Sequence, residues 1–379
     1  MTILLELLPD IRAMVECESP SSDLAAVARS ADVVERVGTA RLGVSPERLV
    51  LDGRTHLRWR LGDGPSRVLV LGHHDTVWPL GSLADRPCTV EDDILRGPGC
   101  FDMKAGLAMA FHALAGQSGV TLLVTGDEEL GSPSSRELIE AEAWAASAVL
   151  VLEASADGGA LKTERKGVSL YDVRVTGRAA HAGLEPELGV NATVELAHQV
   201  LAVAALGDAA AGTTVTPTAA RAGTTTNTVP ATGSISVDVR VRTLAEQQRV
   251  DGAMRALRPV LPEASLEILG GPNRPPLEAA ASAALYQRAC SVAGELGLAV
   301  PGSAAVGGAS DGNFAAGVGT PTLDGLGAVG GGAHADDEHV LVDLLPARTA
   351  LLRRLLDQLL AEPLEPSTNF AVASGGARP

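Results

Sequence analysis

The chain has 379 residues, 46% hydrophobic and 20% charged, with a formal net charge of -16. That length exceeds what one hydrophobic core usually organises, so two domains or one large α/β unit are expected, and the composition lies far from that of a disordered chain. The acidic balance, with no Lys/Arg stripe to offset it, argues against nucleic-acid backbones and anionic membranes as partners, and three Trp, two Tyr and four Phe are too few for a base-stacking platform.

The opening stretch MTILLELLPDIRAMVE mixes Leu with Glu, Asp and Arg at helical spacing, without a basic leader or a long apolar span, so a cytoplasmic protein is expected. Apolar runs bounded by turn residues follow at 67–72, 119–126 and 148–153, with helical patterns at 104–116 and 134–144. Short β-rich runs alternating with helices predict an α/β fold: a mostly parallel sheet with helices on both faces. Near Gly167 the period changes. VSLYDVRVTG and GSISVDVRVRT alternate with period two, as in an antiparallel sheet with one solvated face, and 191–206 and 245–261 read as amphipathic helices. Residues 167–275 are therefore expected to form a smaller inserted α+β domain, within a larger domain made of 1–166 and 276–365. Residues 366–379 have the composition of a flexible tail. Cys17, Cys88, Cys100 and Cys290 form no CxxC pair, which predicts free thiols.

The first apolar run leads directly into His73, His74 and Asp75. His73 and Asp75 point to one face of an extended strand, where a metal-binding imidazole can meet the carboxylate that fixes its tautomer; alone, a pair of surface loop residues is the simpler reading. Asp102 stands in the Gly/Pro-rich loop GPGCFDMKAG, where a plain helix N-cap is common. Asp127, Glu128 and Glu129 follow the second run. Three adjacent carboxylates repel unless a cation or protons relieve them, and open α/β sheets bind ligands at such strand ends. Glu153 closes the third run, and His334 lies in the Gly-rich stretch GAVGGGAHADDEH. Together, two His, one potentially bridging Asp and two Glu suit a pair of borderline metal ions with open positions for water and substrate. Glu128, beside a ligand but not needed as one, is free to take a proton from a water held there. His112 and His198 read as packed or capping helix residues, His56 has no acidic neighbour in sequence, and His339 is placed at a surface turn.

The segments GHHDTVWP, GPGCFDMKAG, TGDEELGSPSSRELI, VLEAS, AAHAGLEPELGVNA and GAHADDEHV resemble, in order and spacing, the motifs of the di-zinc metallopeptidases. That family includes glutamate carboxypeptidases, acetylornithine deacetylase, succinyl-diaminopimelate desuccinylase and aminoacylases, and the likeness is closest to the folate-cleaving glutamate carboxypeptidase branch. It implies a zinc-peptidase catalytic domain holding two Zn2+ per subunit, with Co2+ or Mn2+ as substitutes. Asp102 would bridge the ions, His73 and Glu153 would complete one site, and Glu129 and His334 the other. Glu128 would be general base and acid, and Asp75 would orient His73. The resemblance further implies that the inserted domain forms a homodimer interface and that His181 reaches the partner's site to help bind the scissile carbonyl. Asn227 and Arg274 would contact substrate, the arginine holding its terminal carboxylate. Met103 and His74 depart from the family pattern, which more often has an acidic and an apolar residue there. The implied reaction is hydrolysis of an amide or peptide bond next to a free carboxylate in a small N-acyl amino acid or peptide. A glutamate carboxypeptidase is the first reading, an N-acyl-amino-acid deacylase the alternative, and a catalytically silent metal-binding relative a remote one.

Overall fold

In the computed structural model, which describes residues 3–364, three apolar runs form the strands Val68–His73, Val120–Thr125 and Ala148–Val151. The stretch 366–379 lies outside the described residues. Every residue of these strands is buried, because both faces of the sheet are covered. Successive side chains point to opposite faces. Val68, Val70, Leu122, Val124 and Leu150 enter one layer with Trp59, Phe111 and Leu355, whereas Leu69, Leu71, Leu123, Val149 and Val151 enter another with Ile139 and Phe314. Each such Leu or Val contributes roughly 1.5–3 kcal/mol by leaving water.

The six-stranded sheet runs in the order Glu47–Leu51, Arg54–Leu61, Val120–Thr125, Val68–His73, Ala148–Val151, Thr322–Leu323. The last four strands pair in parallel and the first two ladders are antiparallel, giving the expected mainly parallel α/β sheet with a hairpin at one edge. The hairpin's outer strand is only five residues long and mostly solvent-exposed, so no long buried apolar run marks it. Its signal is the Asp52-Gly53 pair, both at positive φ, the conformation a two-residue hairpin turn requires.

The described residues form two compact units, one of residues 3–164, 278–306 and 310–364, and a second of Arg165–Leu277 with Gly307–Ala309. The second unit holds an antiparallel sheet ordered Thr214–Ala222, Thr232–Val241, Gly167–Thr176, Ser265–Arg274. Tyr171, Val173, Val175, Val237 and Val239 alternate inward and meet Leu196, Val203, Val250 and Met254 from two helices. Asn191 caps the helix Ala192–Ala204, and Thr243 caps Leu244–Arg255, by accepting first-turn N–H groups. The second helix is shorter than the 245–261 pattern. Among the described residues no helix is long and apolar enough to cross a membrane.

Candidate metal centre

Parallel pairing sets the carboxyl ends of three neighbouring strands side by side, so that His73 ends one, Asp127, Glu128 and Glu129 follow the next, and Glu153 follows the third. His73 is buried and both ring nitrogens are engaged. Nδ1 lies 3.0 Å from the Asp75 carbonyl and 3.4 Å from Asp75 Oδ1, while Nε2 faces Asp102 Oδ1 at 3.2 Å and Glu153 Oε1 at 3.6 Å. Asp75 also accepts from Ser21 Oγ at 2.6 Å and from the backbone N–H groups of Glu128 and Glu129 at 3.2 Å each. One buried carboxylate thereby aligns the imidazole with the acidic turn on the adjacent strand.

Asp102 sits in the turn Cys100–Lys104, joined to Met103 by a cis peptide bond, ahead of the helix Ala105–Leu114. Its other oxygen, Oδ2, is 3.3 Å from His334 Nε2, and the same nitrogen is 3.2 Å from Glu129 Oε1. The helix approaches the strand end this closely because residue 106 is glycine: a Cβ there would stand 2.4 Å from the Leu152 carbonyl oxygen. Gly327, upstream of His334, packs on the same carbonyl, and a Cβ there would stand 2.2 Å away. His334 itself adopts a φ of 61°, a left-handed conformation that histidine enters more readily than most residues.

The electrostatics follow from this crowding. Burial works to raise the Asp102 pKa, but His334 and His73 outweigh it and hold the carboxyl well below the usual range. Asp102, and then Glu129, push His334 up to about 10. Burial lowers the His73 pKa, yet Asp102 and Asp75 drive it well above its ordinary value. The carboxylates that push both imidazole pKa values upward make this a place where positive charge is favoured, and a cation bound there would supply it. The donor geometry agrees. Ligand atoms of His73, Asp102 and Glu129, and those of His73, Glu128 and Glu153, lie within 4.8 Å of one another. Mixed imidazole and carboxylate donors suit zinc and its neighbours in the transition series.

Other sequence candidates are engaged elsewhere. Asp127 accepts from Ser134 N at 2.8 Å, Ser134 Oγ at 2.6 Å and Ser135 Oγ at 2.5 Å, ahead of the helix Arg136–Ala145. His74 is buried, with Nε2 donating to the Thr55 carbonyl at 3.0 Å and Nδ1 3.2 Å from Ser30 Oγ. Met103 Sδ accepts from the His73 backbone N–H at 3.4 Å, so the thioether packs beneath the strand end where the family pattern more often has an acid. His112 is held by Asp10 at 2.9 Å. His339 stands just past the expected surface turn: it begins the strand His339–Leu341, which pairs with Ile94–Arg96, and its Nδ1 reaches back 2.9 Å to the Asp337 carbonyl of that turn.

His181, Asn227 and Arg274 belong to the second unit. His181 pairs with Thr228 in a two-stranded ladder, and Ala182 donates to the Asn227 carbonyl at 2.9 Å, so these two candidates are neighbours. Arg274 ends the strand Ser265–Arg274 and is 7% exposed, far from the solvated state usual for arginine.

One residue that sequence reasoning passes over is Glu338. It is 4% exposed and accepts from Trp78 Nε1 at 2.7 Å and from the backbone N–H groups of Gly99, Phe101 and Asp102 at 2.9, 2.9 and 3.1 Å. In the sequence it looks like the last member of a solvated ADDE run; an acid just before the β-rich HVLV is the only hint.

Strand-end histidines and carboxylates gathered around one bridging-type aspartate define a metal-dependent hydrolase. The chain belongs to peptidase family M20/M25/M40, whose family model matches residues 69–358. It is 35% identical over 314 residues to carboxypeptidase G2 of Pseudomonas sp. (strain RS-16), covering 79% of this chain and 75% of that one. It is 28% identical over 354 residues to succinyl-diaminopimelate desuccinylase of Dechloromonas aromatica (strain RCB), covering 84% of this chain and 90% of that one. Among solved structures, an M20 family metallo-carboxypeptidase from Sulfolobus solfataricus shares the fold, with a TM-score of 0.72 at 17% identity over 93% of this chain and 98% of that one.

Proposed function

We propose that this chain hydrolyses the amide bond of a small peptide or N-acyl amino acid next to a free carboxylate, in the manner of a glutamate carboxypeptidase. The observation that carries the reading is the two-sided placement of Asp102, one oxygen toward His73 and the other toward His334. On this reading His73 and Glu153 would hold one metal ion, Glu129 and His334 would hold a second, and Asp102 would contribute to both. Zinc suits the donors, and cobalt or manganese would substitute.

Metal ions held there would supply Lewis-acid polarisation of the scissile carbonyl and a lowered pKa for the attacking water. Glu128 moves the proton: its carboxylate takes it from the water and returns it to the leaving nitrogen. Asp75 keeps His73 in the tautomer and orientation that aim Nε2 at the cluster. His181 is the candidate donor to the developing oxyanion. Its Nδ1 accepts the backbone N–H groups of Gly183 and Leu184 at 3.1 Å each, which leaves the proton on Nε2. A homodimer formed through the second unit would present this donor to the partner's substrate. The exposed edge strand Thr214–Ala222 and the 71% exposed Leu201 support such an interface. Arg274 would clamp the substrate carboxylate bidentately, and Asn227 would add a polar contact.

The test is a panel of folate-like glutamate conjugates, dipeptides and N-acyl amino acids, assayed with metal restored. Glutamate conjugates should have the highest kcat/KM. A preference for N-acyl amino acids would move the assignment to the deacylase reading, which the similarity to the desuccinylase favours. No turnover of any member by metal-loaded protein would leave only the silent metal-binding relative.

A further inference from the structure

We infer that Glu338 is a positioning residue that locks the Asp102 turn and the His334 turn into one register, so that both oxygens of Asp102 meet their histidines. The inference rests on the metal-site reading above. Asp102 and His334 lie on turns far apart in sequence, and neither turn is part of the central sheet. Something must fix their separation.

Two devices join them. The first is the short antiparallel ladder between Ile94–Arg96 and His339–Leu341, one strand leading into the Asp102 turn and the other leaving the His334 turn. The second is Glu338 itself, at the junction between that ladder and the histidine. Its own N–H donates to the Ala335 carbonyl at 3.0 Å, which closes the turn directly after His334. Its side chain then spans to the other turn: Oε1 accepts from Phe101 N and Asp102 N, and Oε2 from Gly99 N and Trp78 Nε1. Three N–H groups from the Asp102 turn, those of Gly99, Phe101 and Asp102, thus converge on one carboxylate whose backbone belongs to the histidine's turn. Such groups need an acceptor when buried, and a charged acceptor satisfies them with shorter, stronger bonds than a neutral one. The arrangement has the form of the outer hydrogen bonds that orient metal ligands.

A glutamine at this position would be nearly isosteric but wrong in polarity. Its amide NH2 would face either Phe101 and Asp102 N–H or Gly99 N–H and the indole, donor against donor. The Asp102 turn should then relax away from His334, and the second metal position, which depends on both, should loosen first.

The test compares full-length wild type with Glu338→Gln, Glu338→Asp and Trp78→Phe. Metal affinity is measured by chelator competition, the ligand field by the visible spectrum of the Co2+ form, and folding of the metal-free chain by circular dichroism. Glu338→Gln should fold, bind the weaker metal ion about 10–100-fold less tightly, and shift the Co2+ spectrum. Trp78→Phe, which removes one donor and leaves the carboxylate on the Asp102 turn, should keep the wild-type spectrum. Should Glu338→Gln fail to fold, Glu338→Asp decides, since it keeps the charge but lacks the reach, and its Co2+ spectrum should shift. A wild-type affinity and spectrum in the folded Glu338 variants, or an equal shift in Trp78→Phe, would overturn the inference alone. Failure of the wild type itself to bind metal would instead overturn the functional reading beneath it.

Discussion

Asp102 Oδ2 lies 3.3 Å from His334 Nε2, which ties the turn before the helix Ala105–Leu114 to a Gly-rich loop far along the chain. Because the opposite oxygen faces His73, the two histidines should not be equivalent to aspartate in metal binding. His334→Ala should lose one metal ion per chain and keep the other, whereas Asp102→Asn should weaken both. Elemental analysis after gel filtration checks this, and equal losses in the two variants would contradict the shared role of Asp102.

Glu128 is the residue whose role geometry leaves most open to experiment, because its carboxylate is close enough to His73 and Glu153 to act as a donor itself. As the proton carrier it should be dispensable for loading. Glu128→Gln is expected to retain wild-type metal content while kcat falls by about 10²–10⁴-fold, the usual contribution of general acid–base catalysis. Loss of a metal ion in that variant would make Glu128 a ligand.

The buried guanidinium of Arg274 predicts a substrate-dependent defect. Arg274→Ala should cost about 2–5 kcal/mol in kcat/KM for substrates with a free carboxylate, as for one partner of a desolvated charge pair. Lysine should rescue in part, since a point charge lacks the bidentate fork. An amidated substrate should be poor for the wild type and almost unaffected by the substitution. Equal impairment of both substrates would assign the clamp to another residue.

Much of this was legible in the sequence because it depends on local pattern. Short apolar runs alternating with helical patterns predicted the mainly parallel sheet, and the strands Val68–His73, Val120–Thr125 and Ala148–Val151 put their His and acidic ends side by side. What was not legible depends on contacts between distant segments. The run Asp127, Glu128, Glu129 does not reveal which acid faces the cluster; Ser134 and Ser135 decide it by holding Asp127. Glu338 reads as a surface acid because its donors, on Trp78, Gly99, Phe101 and Asp102, approach it only in the fold. The edge hairpin escaped hydrophobic pattern because its outer strand is largely solvated, although its Asp52-Gly53 turn was visible.

Burial holds the His74 pKa down, to about 4 from 6.5, so its neutral form is the one that folds. The native state resists taking up a proton that the unfolded chain accepts below pH 6.5. The stability gained from a neutral His74 is therefore complete above pH 6.5 and lost as pH falls toward 4, by about 3 kcal/mol in total. Urea unfolding of metal-free protein across this range, compared with His74→Gln, should show the wild type losing stability more steeply. A difference between the two that does not change with pH would contradict the assignment.

The central claim is that the cluster around Asp102 works only when it holds metal, and the most direct measurement is a titration of chelator-stripped protein with zinc, reading bound metal and turnover in the same samples. Stripped protein should remain folded and inactive, and activity should return with zinc and level off near two ions per chain, with cobalt able to replace it. Full activity in protein that elemental analysis shows to be metal-free would contradict the account.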